Sequence, residues 1–391
     1  MIGVMVMAVM LGAPAPVSGW ADVVALLKVS PRWGVTQAQV DVAKAGAVGA
    51  RRLPNTEVSY GGTFQVAGTS PGNETTHELV VAQPFLIGGQ RGARGRAVKR
   101  EVALAEREAL LDARDLVAEA RAAWTSLVAA RAKKDLLVAG VAATEKLAAV
   151  VKARADAGHA STFDIERAEA AVAQVASERD ASDATIAAAE HDLAVALGVQ
   201  VAVAATTLTV PSELPQVAAA DTPSAQVAVA AQARAAADIE VAKAERWPDL
   251  VLQVGTVQGS GPYSGAVSVG AAIEVPWLDF GEGPVAEAEA RTRAAAQLVE
   301  VQDQTTESTL AAARAAFEQR SALVVRHDTD VIARLEGIAT RADAAYAEGR
   351  ITLFERLDSE RDLLDARLRR VELVVDVLEA EGRYRDAAGL D

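Results

Sequence analysis

The chain repeats itself with a period of about half its length, so any fold for it must be built from two similar units. LPNTEVSY beginning at Leu53 is echoed by WPDLVLQV beginning at Trp247. VAQPFLIGG ends at Gly89 and IEVPWLDFG ends at Gly281, 192 residues later. AGHASTFDIERAE around Gly158 matches EGRITLFERLDSE around Gly349, and LAVALG at Gly198 matches YRDAAG at Gly389; both pairs are 191 residues apart. A spacing that changes by only one residue across so many landmarks gives each half the same order of elements. The halves are expected to cover residues 21–198 and 223–391, joined by an irregular Pro- and Thr-rich linker over 199–222.

Each half begins with a helical stretch, Asp22 to Arg52 and Pro223 to Arg246, and continues into two extended segments. These are expected as strands near 53–67 and 76–88, then 248–258 and 263–277. In the first, Val58, Tyr60, Phe64 and Val66 alternate with Glu57, Ser59, Thr63 and Gln65; in the last, Tyr263, Val267, Val269, Ile273, Val275 and Trp277 oppose Ser264, Ser268 and Glu274. Period-two alternation marks a strand with one apolar face. Strands of about ten residues, apolar on one side and polar on the other, suit a transmembrane β-barrel, with the aromatic residues in interfacial girdles. Four strands cannot enclose a lumen, so a barrel here requires several chains.

A very long helix follows each strand pair, over 90–157 and 284–348, with no proline after Pro284 at its start and, past the first turns, only Gly140 or Gly337 in its interior. About 65 residues at 1.5 Å each reach roughly 100 Å. Leu116, Ala120, Ala123, Leu127, Ala130, Leu137 and Val141 recur at coiled-coil steps. Such a helix needs a continuous packing partner. The stretches after the glycine breaks, 161–198 and 351–388, supply one by folding back antiparallel. Ser161 and Thr352 stand where each return helix needs a cap.

Composition removes other classes. There is no cysteine, hence no disulfide and no thiolate metal site. A net charge of −14 disfavours nucleic acid. The histidines His77, His159, His191 and His327 have no ligand spacing, and no catalytic or phosphate-loop motif occurs, so neither an enzyme nor a cofactor is expected. Residues 1–20, an apolar run followed by Ala13 and Ala15 in an A-x-A arrangement, are expected to be a secretory signal peptide. All four methionines lie in it.

Strand pair, long helix, glycine tip and return helix, each occurring twice, resemble the TolC-like outer-membrane efflux family, and in general shape and size its CzcC-like heavy-metal branch. QPFLIGGQRGARGRA at Gln83–Ala97, the two glycine tips and the LAVALG ending carry the resemblance. It implies a mainly α fold with a small β part: a homotrimer with a twelve-stranded β-barrel continuous with an α-helical periplasmic tunnel. It also implies an exit duct for small molecules or metal ions, served by a periplasmic adaptor and an inner-membrane efflux pump. By the same resemblance Gly158 and Gly349 are expected at adaptor-docking tips, and Tyr346, Arg350, Glu355 and Asp358 at a periplasmic gate. Glu355 and Asp358 share one helix face, so a trimer would stack them as two acidic rings able to favour cations. Against this stands a solvated face on which Arg350, Arg356 or Arg361 pairs with the two acids. A periplasmic adaptor would be expected to show one helical hairpin rather than two, and a plain coiled-coil protein has no use for the alternating strands.

Overall fold

The computed structural model describes residues 15–64, 75–204, 208–259, 265–275 and 280–390. In chain order the elements are β1 (Ala15–Val17), α1 (Trp20–Lys28), α2 (Pro31–Ala47), β2 (Glu57–Phe64), β3 (Thr75–Leu86), α3 (Gln90–Asp156), α4 (Thr162–Leu197), β4 (Val201–Val203), α5 (Pro223–Glu245), β5 (Asp249–Gly259), β6 (Ala266–Ile273), α6 (Glu282–Arg326), α7 (Ala333–Ala347) and α8 (Leu353–Ala388). The chain divides into two compact units. One gathers Met1–Thr36, Leu110–Pro223 and Gln304–Asp391; the other gathers Gln37–Ala109 and Ser224–Asp303.

The second unit holds the four-stranded sheet, in the order β2-β3-β5-β6 and antiparallel throughout. Its register sets Val58 beside Val81, Val81 beside Val254, and Val254 beside Val269, so one apolar row crosses all four strands. Side chains alternate across a strand, which puts Tyr60, Phe64, Leu79, Leu252, Val267 and Ile273 on the same face as that row. Every large apolar residue exposed on the strands lies on this face, Val269 at 80% and Val267 at 74%. Glu57, Ser59, Thr63, Thr76, Glu78, Gln253 and Ser268 occupy the other face among glycines, alanines and the half-buried Val80, Val251 and Val257. Gln65, Val66, Tyr263, Ser264 and Trp277, expected in these segments, lie outside the described residues.

The sheet is pinned to its helices by the turn before α3. A Cβ on Gly88 would come within 2.1 Å of the Trp247 Cβ, so only glycine allows this crossing. Buried Gln90, the first residue of α3, donates to the Trp247 carbonyl at 3.0 Å and to Asp249 at 3.2 Å. Beyond it α5 lies antiparallel to α3, through Arg94–Glu245, Arg96–Glu240, Arg234–Glu101 and Arg107–Gln226.

In the first unit, the later part of α3 packs along α4, and α6 and α7 pack along α8. Val17, Leu26, Leu27, Val117, Leu127, Leu193 and Leu197 form one core, with Trp20, Trp33 and Trp124 against it. Three of the five tryptophans therefore sit against this mainly helical core, away from the four-stranded sheet. Three expectations change here. First, the 22–52 stretch is two helices, because Pro31 has no backbone N–H to continue α1 and opens α2 at its first position. Second, Ala15–Val17 is a strand paired in parallel with Val201–Val203, and Val17 is buried, so the end of the segment read as a leader over 1–20 belongs to the folded unit. Third, the linker expected to be irregular over 199–222 contains a short strand, Val201–Val203, and is tied to the helices: Arg131 donates to the carbonyls of Val203 and Ala204, and the Tyr384 hydroxyl donates to the Pro215 carbonyl at 2.5 Å.

A single helix over 284–348 is also replaced, by α6 and α7 joined through a wide π-helical turn at His327–Ile332. There the His327 ring meets the Ala366 carbonyl at 2.9 Å and Asp328 takes both Nε and Nη2 of Arg370. Widening one turn re-aims side chains without ending the helix, and neither proline nor glycine marks it.

Candidate functional site: the paired hairpin tips

The last turn of α3 and the last turn of α7 close in the same way. Gly158 (φ 78°) and Gly349 (φ 72°) take the left-handed conformation that L-residues with a Cβ avoid. His159 N–H then reaches back to the Arg154 carbonyl at 2.8 Å, and Arg350 N–H to the Ala345 carbonyl at 2.8 Å. Each return helix starts with a reciprocal cap. Ser161 Oγ accepts from Asp164 N–H while the Asp164 carboxylate accepts from Ser161 N–H; Thr352 and Glu355 repeat this three residues apart. The backbone N–H of Ser161 and its hydroxyl hold the Asp164 carboxyl below its ordinary pKa, and those of Thr352 do the same for Glu355.

The tips differ in what joins them. Arg154, on α3, stacks its guanidinium 4.3 Å from the centre of the Tyr346 ring. Its Nη2 donates to the Tyr346 carbonyl at 2.7 Å and the Ala347 carbonyl at 2.8 Å, satisfying the open end of α7. Tyr346 is 7% exposed, in a small core with Leu147, Val151, Ala168 and Leu353 that draws on both hairpins. Arg167, on α4, lies 4.6 Å over the Phe354 ring of α8. Between them runs a groove of about 290 Å³ floored by Gly140, Ala171, Val175 and Leu364 and edged by Asp358 and Arg361.

The structure places the expected gate residues unequally. Tyr346 is buried between the hairpins. Glu355 is exposed and occupied as a helix cap, and Arg350 is exposed and paired with its neighbour Glu348. Asp358 is exposed on the groove edge and makes none of the described ion pairs. The pairing of Glu355 and Asp358 with nearby arginines is not found. Arg356 instead lies buried and bridges Asp343 at 2.6 Å and Glu360 at 2.8 Å, while Arg361 faces Asp365 at 3.7 Å. Arg154 and Arg167 were missed by sequence reasoning, and Arg356 was read with the wrong partners. The repeat held a signal for the first: Arg154 falls opposite Ala345, and Tyr346 opposite Ala155, so both break the repeat where the tips meet. Among the described residues no group of three or more His, Asp or Glu could hold a metal ion, and no helix is long and apolar enough to cross a membrane.

No protein-family model and no curated protein sequence matches the chain. Solved structures do. CusC, described through its folding and transmembrane channel formation, superposes with a TM-score of 0.79 at 20% identity, over 95% of this chain and 92% of that one. The outer membrane protein VceC of Vibrio cholerae gives 0.74 at 18% identity, over 95% and 96%. The open-state MtrE outer membrane channel of Neisseria gonorrhoeae gives 0.78 at 16% identity, over 95% and 89%. The class is thus defined by its fold: a mainly helical chain with a small sheet, in the TolC-like fold shared with these channel structures. Within that fold, this chain is a two-repeat member with one four-stranded sheet and two capped helical tips.

Proposed function

We propose that this protein is the outer-membrane exit duct of a tripartite efflux system. The observation that carries the reading is the sheet register, which gathers the exposed large apolar strand residues on one face and leaves the other to polar residues, glycines, alanines and three half-buried valines. A water-soluble sheet has no reason to leave its apolar face uncovered, whereas a lipid-facing one requires it. β2 and β6 are open edges, and in lipid open edges must be paired. Three copies would pair them into a twelve-stranded barrel around a polar lumen, with the helical hairpins extending into the periplasm. Gly158 and Gly349 would then present the tips to a periplasmic adaptor coupled to an inner-membrane pump. Tyr346, Arg350, Glu355 and Asp358 would shape the mouth between them. The cargo is a small molecule or a metal ion, the latter if the CzcC-like likeness holds. Passage through a lumen needs no tight metal site.

Membrane fractionation followed by negative-stain electron microscopy of the detergent-extracted protein tests this. A three-fold hollow cylinder from the outer-membrane fraction is expected. A soluble, elongated monomer or dimer would reject the duct in favour of an adaptor or a coiled-coil structural protein.

A further inference from the structure

The two edge strands of the sheet are the repeat's counterparts of two strands that pair within the chain. Leu53–Tyr60 aligns with Trp247–Val254, so β2 answers to β5; Val81–Gly89 aligns with Ile273–Gly281, so β6 answers to β3. β3 and β5 pair antiparallel with Val81 opposite Val254. Carried across the repeat, that pair becomes Ile273 of one copy opposite Tyr60 of the next. β2 and β6 run in opposite directions, so copies turned about a common axis also meet antiparallel. Every residue of both edge strands is exposed in the single chain.

The transferred register matches the two faces without adjustment. It sets Val275 beside Val58, Ile273 beside Tyr60 and Val269 beside Phe64 on the apolar face. On the other face it sets Glu274 beside Ser59 and Gly270 beside Thr63. A slip of one residue would turn every side chain of one strand to the wrong face. The row Val58, Val81, Val254, Val269 then continues into Phe64 of the next copy, six residues along β2 from where it began. Six residues at about 3.3 Å each, gained across four strands about 4.8 Å apart, tilt the strands by about 45°. That is the tilt of a membrane barrel.

At the helical end the same transfer exchanges an acid for an amide. Within the chain, Gln90 donates to the Trp247 carbonyl and to Asp249. Between copies, Glu282 stands for Gln90, Leu53 for Trp247 and Asn55 for Asp249. Donor and acceptor have changed places, so the Asn55 amide can donate to Glu282. Both side chains are exposed in the single chain.

We propose that copies join in this one register, β6 of one against β2 of the next with Ile273 opposite Tyr60, and that Asn55 of the second copy donating to Glu282 of the first locks the seam where strands become helices. The proposal rests on the trimeric duct described above.

The chain has no cysteine, so engineered pairs supply the only thiols. Directly opposed strand residues have Cα atoms about 4.5–5.5 Å apart, within reach of a disulfide, whereas diagonal neighbours are about 7–8 Å apart. Tyr60→Cys/Ile273→Cys and Ser59→Cys/Glu274→Cys, oxidised in the outer-membrane fraction, are expected to run as covalent trimers on a denaturing gel and to return to monomers with reductant. Tyr60→Cys/Ala271→Cys and Ser59→Cys/Ala272→Cys keep one cysteine of each pair and displace the other by two residues; these should run as monomers. Asn55→Asp sets two carboxylates together and should lower the temperature at which the detergent-extracted oligomer falls to monomers. Adding Glu282→Gln should restore it. Covalent trimers from a displaced pair in place of a matched one overturn the register, and a fall that Glu282→Gln fails to reverse overturns the lock. A three-fold cylinder whose matched pairs do not link keeps the duct and rejects the seam. A protein that is monomeric by gel and by microscopy rejects both.

Discussion

Val269 sits on the fourth strand at the end of the four-valine row, 80% exposed in the single chain and paired with Val254. Its neighbour Ser268 points to the opposite face. If the sheet were bathed in water on both sides, Val269→Arg would exchange one exposed side chain for another and cost at most about 0.5 kcal/mol. If the valine row lies in lipid, an arginine near the middle of the apolar band costs about 2–4 kcal/mol per chain. Three copies place three arginines in one barrel, so the assembled duct loses about 6–12 kcal/mol, comparable to the whole stability of an ordinary domain. Ser268→Arg, one residue away and facing the lumen, carries no such cost. The comparison is made by the yield of folded oligomer in the outer-membrane fraction, with urea unfolding in lipid vesicles giving the free energy. Val269→Arg should all but abolish assembly while Ser268→Arg assembles and alters ion selectivity. Equal yields and equal unfolding midpoints for the two variants would refute the lipid-facing assignment, because nothing in the single-chain structure separates them so sharply.

Other outcomes follow from particular contacts. Gly88→Ala forces a methyl group against Trp247, with the Ala244 carbonyl only 3.0 Å from the added carbon, and should lower stability by about 1–3 kcal/mol in thermal melts. A chain deleted up to Trp20 loses the β1–β4 pairing and the burial of Val17, a cost of about 2 kcal/mol or more, visible as early melting of the helical signal. The caps at Asp164 and Glu355 have folded pKa values below the ordinary carboxylate value, so their stabilisation is complete above that value and is lost as pH falls through the lowered ones. Hydrogen exchange at residues 161–164 and 352–355 should therefore accelerate below about pH 4, before the helix interiors do.

What could be read from the sequence was whatever depends on local period and on comparing the two halves. The 191-residue repeat located both tips, because a left-handed turn selects glycine wherever it occurs; Gly158 and Gly349 hold that conformation. The caps at Ser161 and Thr352 were legible because a side chain and a backbone three residues apart make them. The alternation at Val58–Phe64 and Val267–Ile273 showed two apolar strand faces. It could not show that they are the same face, since that depends on the pairing of β3 with β5, whose own alternation is weak. Register is a non-local quantity, and it turned four strand patterns into one exposed apolar surface.

Tertiary structure alone decided the rest. Arg356 looked like a partner for the gate acids but is buried against Glu360, one turn on along α8, and Asp343, which the crossing of α7 with α8 brings close. Glu355 looked like a free ring charge and is taken up by its own helix end. Tyr346 looked like a constriction and is buried, because Arg154 comes from 192 residues away to cover it. Period and cap are set within one helix turn or one strand, and the repeat by comparing the two halves of one sequence, so the sequence by itself determined them. Which arginine meets which carboxylate or ring is set by how two hairpins pack, and no spacing along the chain encodes that.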